Sequence, residues 1–446
     1  MSDQSLFDYI DANADTYRED LFELLRQPSI STQGVGVEEC AELLMETMRE
    51  YGFDPERIET STYPLVYAEE IVSPDAPTVL FYGHYDVQPP GDESDWESPA
   101  FEPTIRDGSI YARGAGDNKG QLTAHVFAAA AVRSVQGDLP VNVKFLFEGE
   151  EESGSAGLIE FVEDSPPELD ADLIYVADGP MHPSRRPTLM YGNRGILSVE
   201  LTLRTANSDL HSGNFGGPVP NAANELTEVL NTMYDGDTVT IDGFHDDVAI
   251  TDAQRAVARE IPVDGESIMA DLELTHLNVP EDRYYERLLL EPTLTINGLT
   301  SGYQQEGMKT IIPHEATAKL DMRLVPDQDP DAIFELVRDH VADVHPDVEI
   351  EKQGTFAPMS TPLDTPPADD VLGALEAAWD RDPVEMPMIG GSLPAAYFRR
   401  GVDVPILIVP YANPDQGNHS PNEHLDVHCF ENGIKVSAGF IDRFGR

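Results

Sequence analysis

The chain has 446 residues, with 28 Lys and Arg against 82 Asp and Glu, which gives a formal net charge of −54 at pH 7. Such a negative field repels phosphate backbones and anionic lipids, so we expect neither nucleic acid nor a membrane surface among its partners. Hydrophobic residues make up 40% of the chain. This is enough for a folded core, and the length predicts two domains or one domain with a large insertion.

The acidic residues are spread along the whole chain rather than gathered in one tail. At molar salt the Debye length falls to about 3 Å, so this dispersed charge predicts a halophilic host with a salty cytoplasm. The alternative is an acidic docking surface for a basic partner. A cytoplasmic location is also expected because Cys40 and Cys429 cannot build a disulfide framework, and because the first 25 residues do not have the pattern of a signal peptide.

Strand and helix patterns alternate through the first part of the chain, which is typical of an α/β sheet covered by helices on both faces. The patterns predict helices over 6–25, 38–51 and 122–135, and strands over 78–82, 141–147 and 173–177. After residue 357 the alternation of helix and strand patterns resumes, with a predicted helix over 370–378 and a predicted strand over 404–409.

Between these parts the pattern changes to strand, helix, strand, strand, helix, strand, which is the ferredoxin-like order. The predicted elements cover 196–204, 222–233, 292–297, 316–325, 331–344 and 348–352. An acidic segment, 235–291, interrupts them. We therefore predict a discontinuous catalytic domain of 1–194 and 357–446, with an α+β domain of 195–356 inserted into it.

Histidines and carboxylates stand where the predicted strands of the first domain end, and ligands bind beyond the carboxyl ends of strands in open α/β sheets. The segments are GHYD with His84 and Asp86, GAGDNKG with Asp117, FEGEEES with acids at 148 and 150–152, VADG with Asp178, and GNHSPNE with His419. Each segment alone is compatible with an ordinary turn, helix cap, solvated charge run or surface histidine. GAGDNKG is not a dinucleotide loop, because its glycines follow GxGxxxG and Asp117 would repel a pyrophosphate.

Taken together, two histidines and three carboxylates suit two zinc-like ions, which accept mixed nitrogen and oxygen ligands. Two such ions can share a bridging carboxylate and a bridging water. The sequence therefore predicts a site for two divalent metal ions in each subunit.

The segments GHYDVQP, ARGAGDNKG, FEGEEESGS, VADG, DLHSG and GNHSPNE occur in this order between residues 83 and 423. With them the chain resembles the dinuclear-zinc exopeptidase family that includes carnosine dipeptidases, aminoacylases, acetylornithine deacetylase and succinyl-diaminopimelate desuccinylase. GHYDVQP and EESGS are most similar to the dipeptidase branch. The resemblance implies a zinc-exopeptidase-like catalytic domain with a mixed sheet, an inserted ferredoxin-like lid and dimerisation domain, and a homodimer.

The resemblance also implies a role for each candidate residue. His84 and Asp178 would hold one metal ion, Glu152 and His419 the other, and Asp117 would bridge them. Asp86 would orient His84, Glu151 would be the general base, and His211 of DLHSG would stabilise the oxyanion in the neighbouring subunit's site. Arg323, Thr310 and Ser392 match substrate-binding positions, and Arg323 would bind the substrate carboxylate. The alternative for Arg323 is an ordinary surface ion pair.

The implied reaction is hydrolysis of amide bonds in dipeptides or short peptides by a hydroxide that bridges the two metals. Zinc is the expected metal, with manganese and cobalt as alternatives. One position departs from the dipeptidase pattern, because Met388 and Ile389 stand before Gly390 where related dipeptidases have Arg-Glu. This departure leaves room for an N-acyl amino acid or a longer peptide as the substrate. Two alternatives stay open: a deacylase of N-acyl amino acids (aminoacylase, acetylornithine or succinyl-diaminopimelate type), and a peptide-binding relative without catalysis.

Overall fold

A computed structural model describes residues 3–236 and 238–446 and shows a mixed α/β fold. The α-helices in these residues are α1 (Asp3–Arg26), α2 (Val37–Glu50), α3 (Lys119–Gln136), α4 (Ala156–Glu163), α5 (Ser212–Phe215), α6 (Ala222–Met233), α7 (Asp252–Glu260), α8 (Gly265–Asp271), α9 (Tyr284–Leu290), α10 (Pro330–Val344), α11 (Pro367–Trp379) and α12 (Val427–Phe444).

The strands of the first half are β1 (Glu56–Ile58), β2 (Leu65–Glu70), β3 (Thr78–His84), β4 (Thr104–Arg106), β5 (Ser109–Tyr111), β6 (Asn142–Glu148), β7 (Leu173–Val176), β8 (Thr188–Met190), β9 (Gly192–Asn193), β10 (Gly195–Arg204) and β11 (Leu210–His211). Those of the second half are β12 (Tyr234–Asp235), β13 (Thr238–Val239), β14 (Thr293–Ser301), β15 (Ile311–Ile312), β16 (Glu315–Leu324), β17 (Val348–Phe356), β18 (Met359–Ser360), β19 (Val384–Met386), β20 (Ile406–Ile408) and β21 (His424–Asp426).

The chain divides into two compact units. The first runs to Gly192 and is completed by Thr361–Met386 and Tyr397–Arg446, and the second comprises Asn193–Ser360 and Pro387–Ala396. The boundaries predicted from the sequence place Pro387–Ala396 in the first domain instead. Two hydrogen bonds explain its place in the second unit, because the backbone N–H of Arg194 donates to the carbonyls of Ile389 and Gly391.

The first unit is built on an eight-stranded mixed sheet of order β1-β2-β6-β3-β7-β20-β8-β19. Its central strands β6, β3, β7 and β20 are parallel neighbours. These strands are apolar runs buried along their length, as expected for parallel strands covered by helices on both faces. Four successive carboxyl ends therefore meet at one edge of the sheet.

Helix α3 lies inside the core of the first unit, where every residue from Lys119 to Val132 is buried. Its alanines permit close packing against α12, which also has a long buried face. The sequence pattern does not predict α12. Its pattern is weakened by Gly433, Ser437 and Gly439, which are poor helix formers, and the packed neighbour α3 compensates for them.

The second unit contains a four-stranded antiparallel sheet of order β14-β16-β10-β17. Inward residues of these strands pack with α6 and α10 in one core cluster. β10 shows the expected alternation, with every second residue buried. The predicted fold class, an α/β catalytic part with a mixed sheet and a ferredoxin-like α+β part, is confirmed by this topology.

The acidic segment that interrupts the ferredoxin-like order contributes α7, α8 and α9 to the second unit. None of the helices in the described part of the chain is long and apolar enough to span a lipid bilayer.

Candidate metal centre

The predicted metal ligands belong to the first unit and lie beyond the strand ends that meet at one edge. His84 is the last residue of β3, Asp178 follows β7 by two residues, and Glu152 lies in a turn after β6. Asp117 precedes α3, and His419 lies in the loop after β20. The sheet thus brings together residues that are up to 335 positions apart in sequence, from His84 to His419.

The five side chains form two groups that share Asp117. His84, Asp117 and Asp178 offer one ligand atom each within 4.8 Å of one another, and so do Asp117, Glu152 and His419. Asp117 Oδ1 lies 3.1 Å from His84 Nε2, and its Oδ2 lies 3.2 Å from His419 Nε2. Each oxygen of one carboxylate therefore faces a different group, which is the arrangement of a bridging ligand.

Asp86 fixes the orientation of the His84 ring. His84 Nδ1 lies 3.1 Å from the backbone carbonyl of Asp86 and 3.3 Å from its carboxylate. The Asp86 carboxylate in turn accepts hydrogen bonds from Ser31 Oγ and from the backbone N–H groups of Glu151 and Glu152. With Nδ1 as the donor, Nε2 is the nitrogen that is available to a metal ion, as is usual for metal-binding histidines.

The glycine before His84 is required by the close approach of α3. A Cβ at Gly83 would lie 2.8 Å from both Asn118 Oδ1 and Leu122 Cβ. Asn118 also donates to the carbonyl of Ala177, next to Asp178. The start of α3 therefore packs between the ends of β3 and β7, which explains why GHYD and GAGDNKG belong to one structural unit.

The electrostatics of the site demand positive charge. Burial opposes protonation of His84, yet its carboxylate partners Asp117 and Asp86 hold its pKa well above the ordinary value. Hydrogen bonds to Asp117 and Glu152 raise the pKa of His419 to about 10, and burial raises the pKa of Asp178 to about 6. Crowded buried carboxylates need a compensating cation.

The three consecutive acids after β6 have different surroundings. Glu152 Oε2 lies 3.3 Å from His419 Nε2 and accepts a hydrogen bond of 2.8 Å from Gln88. Burial raises the pKa of Glu151 well above its ordinary value, as suits a group that takes up a proton. Glu150 instead accepts hydrogen bonds from Thr62 Oγ1 and the backbone N–H of Gly157.

Glu150 therefore holds the turn against α4 and the loop after β1. These hydrogen bonds explain why we assign no catalytic role to Glu150.

Glu423 is a structural residue that the sequence analysis missed. Its fully buried carboxylate accepts hydrogen bonds from the backbone N–H groups of Gly114, Gly116 and Asp117 at 3.0–3.1 Å, and from Arg113 Nη1 at 2.5 Å. The residue lies four positions after His419, in the same GNHSPNE segment. In sequence this acid resembles an ordinary residue at the end of a polar loop.

Glu423 thus joins the loop that holds Asp117 to the loop that holds His419. Arg113 reinforces the connection, because its Nη2 also donates to the carbonyl of Ser420 at 3.4 Å. His419 has φ of 59°, a left-handed conformation that is uncommon for residues other than glycine, so the loop needs such support to keep this geometry.

The remaining predicted residues belong to the second unit. His211 is in β11, which pairs with β15, and its Nδ1 accepts a hydrogen bond of 3.0 Å from the backbone N–H of Gly213. Thr310 accepts a backbone hydrogen bond from Ser212. Arg323 is in β16, where its Nε lies 3.7 Å from Asp321 Oδ2, and Ser392 Oγ donates to the carbonyl of Arg194.

The chemistry of the donor set in the first unit fits two divalent cations. It consists of imidazole nitrogens and carboxylate oxygens without cysteine, a mixture that zinc, manganese and cobalt all accept. Both cysteines in the described residues are buried and free of disulfides, and the metal groups include neither.

Comparison with known proteins agrees with this geometry. The model of the Peptidase family M20/M25/M40 matches residues 80–443. The chain is 30% identical to the Beta-Ala-His dipeptidase of Mus musculus over 98% of this chain and 94% of that protein. It is 28% identical to the Cys-Gly metallodipeptidase dug1 of Schizosaccharomyces pombe over 99% of this chain and 98% of that protein.

Among solved structures, the chain is similar to the M20 family metallo-carboxypeptidase Sso-CP2 of Sulfolobus solfataricus. The TM-score is 0.86 at 34% identity, and the match covers 96% of this chain and 99% of that one.

The clamp formed by Glu423 can be tested by Glu423→Gln. The amide removes the negative charge that Arg113 and three backbone N–H groups share, and its NH₂ faces donors. We expect the metal affinity to fall about 10- to 100-fold, the usual cost of losing a group that orients ligands. Competition with a chromophoric chelator measures this affinity for each bound ion.

Glu286→Gln is the matched control, since Glu286 is also a buried carboxylate that forms salt bridges with arginines, namely Arg255, Arg259 and Arg283. Glu286 belongs to the second unit, so the metal affinity of the Glu286→Gln variant should equal that of the wild type. Equal losses in both variants would show a general effect on stability instead of a clamp on the ligand loops.

Proposed function

The chain belongs to Peptidase family M20/M25/M40, and on this premise we propose that it is a metal-dependent dipeptidase that hydrolyses amide bonds in dipeptides or short peptides. The observation that carries the proposal is the pair of ligand groups that share Asp117. The dipeptidase names of its relatives support the substrate class.

His84 and Asp178 would hold one divalent ion, Glu152 and His419 the other, and Asp117 would bridge the two. Zinc is the proposed ion, with manganese or cobalt as alternatives. Such a pair of ions lowers the pKa of water towards about 7 and polarises the substrate carbonyl. Asp86 keeps the His84 ring in the orientation that this arrangement requires.

Glu151 is proposed as the general base. It does not belong to either ligand group, and its burial favours the protonated form that it reaches after accepting the proton of water. The same proton can then pass to the leaving nitrogen, as in general acid–base catalysis by carboxylates. The presence of an acid at this position supports an enzyme over a peptide-binding relative without catalysis.

His211 is proposed to donate a hydrogen bond to the oxyanion of the tetrahedral intermediate. Because its Nδ1 accepts from Gly213, a neutral ring has its proton on Nε2, which is then a donor. The family resemblance assigns this residue to the site of the neighbouring subunit, so we propose a homodimer. Arg323, with Thr310 and Ser392, would bind the substrate carboxylate.

The second candidate is a deacylase of N-acyl amino acids. Met388 and Ile389 stand before Gly390 in place of the Arg-Glu expected for a dipeptidase. Without that cation, a substrate with an uncharged acyl group is also compatible with the site.

The proposed base is tested by Glu151→Gln in the metal-loaded protein. We expect kcat to fall by about 10²- to 10⁴-fold, the usual contribution of a positioned acid–base group. Because Glu151 is not a proposed ligand, the content of two metal ions should stay unchanged, as measured by elemental analysis.

Glu150→Gln is the control, since it removes the neighbouring carboxylate, which bonds to Thr62 and Gly157. It should keep most of the turnover. Unchanged turnover in Glu151→Gln would refute its assignment as the base.

The substrate class is tested by comparing dipeptides with N-acetyl and N-succinyl amino acids. For a dipeptidase we expect kcat/KM to favour the dipeptides by at least about tenfold, because a site built for one polar group loses affinity for analogues that lack it. Activity should disappear after chelation and return after zinc, manganese or cobalt is added back. Preferential deacylation would select the second candidate.

The surface charge leads us to propose adaptation to molar salt in a cytoplasm, where the free thiols of Cys40 and Cys429 stay reduced. The net charge of −54 produces self-repulsion that destabilises the compact state unless salt screens it.

We therefore expect the melting temperature and the turnover to rise between 0.1 and 2 M KCl, since the Debye length falls from about 10 Å to below about 3 Å over this range. Circular dichroism at each salt concentration measures the first quantity. Sucrose is the control, because it stabilises proteins by exclusion without screening charge. Full stability at 0.1 M KCl would favour the alternative, an acidic docking surface for a basic partner.

A further inference from the structure

The second unit contains a cavity of about 740 Å³. This volume lies within the range of about 300–1,000 Å³ that is typical of small-ligand sites. Arg323, the residue proposed to bind the substrate carboxylate, lines it. Much of the remaining wall comes from the acidic segment 235–291, through residues such as Leu274, Leu277 and Leu288, and this gives the segment a place beside a candidate binding site.

One part of the cavity wall is apolar. Leu274 and Leu288 are 44% and 39% exposed although they are large hydrophobic residues, and both line the cavity together with Leu277, Val279 and Leu294. Exposed apolar side chains that face a common space gain free energy when an apolar group covers them. The cavity therefore favours a ligand with a sizeable apolar part.

Arg194 maintains the shape of this cavity through hydrogen bonds from its two Nη atoms to backbone carbonyls. It is 3% exposed. Its Nη1 donates to the carbonyl of Leu288 at 2.6 Å, and its Nη2 donates to those of Glu291 and Arg323 at 2.9 and 3.2 Å. These bonds fix the end of α9 and the start of β14 against β16. Leu288 and Arg323 therefore keep fixed relative positions.

The charges around the cavity favour a single carboxylate. Arg287 is bonded to the carboxylate of Glu291 at 3.1 Å, whereas the salt bridge from Arg323 to Asp321 uses Nε at 3.7 Å. Both Nη atoms of Arg323 can therefore bind one carboxylate in a bidentate manner. A second carboxylate on the ligand would meet the negative charge of Asp321, which also lines the cavity.

We propose that this cavity binds the C-terminal residue of the substrate and selects a large apolar side chain there. The inference rests on the proposed function, because the carboxylate next to that side chain is the one assigned to Arg323. The carboxylate and the side chain of an amino acid are attached to the same Cα. A residue held by Arg323 thus presents its side chain to the leucine wall.

The test compares kcat/KM for Ala-Leu, Ala-Gly, Ala-Glu and Ala-Lys with the metal-loaded full chain in 2 M KCl. Ala-Leu should exceed Ala-Gly about 10- to 100-fold, the ratio that corresponds to burial of a leucine side chain. The double variant Leu274→Ser/Leu288→Ser should lose most of this preference. Leu272→Ser is the matched control, because Leu272 is 65% exposed in the same segment and does not line the cavity.

Calorimetric binding of free leucine and free glycine makes the result independent of turnover, and leucine should bind more tightly by a similar factor. If no dipeptide is hydrolysed but the preference for leucine persists, the proposed function fails and the specificity of the cavity stands. Hydrolysis with equal kcat/KM for Ala-Leu and Ala-Gly, a preference for Ala-Glu, or an equal loss in Leu272→Ser overturns the proposal.

Discussion

Negative charge concentrated at the ends of parallel strands is the constraint on which the centre of this molecule depends. Four of the buried acids around it fall into two classes by their main partners. Asp86, Glu150 and Glu423 accept hydrogen bonds from backbone N–H groups or hydroxyls, so the protein itself compensates them. Asp117 instead faces two imidazoles. An acid of this second class needs a cation, and the surrounding acids of the first class keep it in position.

The parallel centre of the sheet explains why these groups meet. Each of the strands β3, β6, β7 and β20 ends at the same edge, and the polar residues that follow them have no space in the apolar core, so they collect above it. This much follows from the sequence, because apolar runs that end in His or acidic residues predict both the strands and their functional edge. The ferredoxin-like order of the second unit was equally accessible, since β10 and β16 alternate regularly.

What the sequence did not reveal are features that depend on partners distant in the chain. Glu423 is ordinary in sequence, and it becomes a clamp only because β21 pairs with β5 and brings it beside Arg113. The glycines and serine in α12 weaken the sequence pattern of a helix that contacts with α1, α3 and α11 stabilise. Pro387–Ala396 belongs to the second unit because of backbone hydrogen bonds with Arg194, and the local composition does not predict these bonds. Each of these three features depends on contacts between residues that are distant in sequence.

The two units also differ in how strictly their functions limit the sequence. A divalent cation accepts few side-chain types, so a site such as that of Asp117 and His84 shows itself as a short motif. An apolar wall accepts any leucine, valine or isoleucine, and the wall that includes Leu274 and Leu288 comes from a segment without a recognisable motif. The metal-binding chemistry of the first unit can therefore be predicted from its sequence motifs. The proposed specificity of the second unit depends on the shape of its cavity. That shape results from packing around residues such as Arg194 and cannot be predicted from a motif.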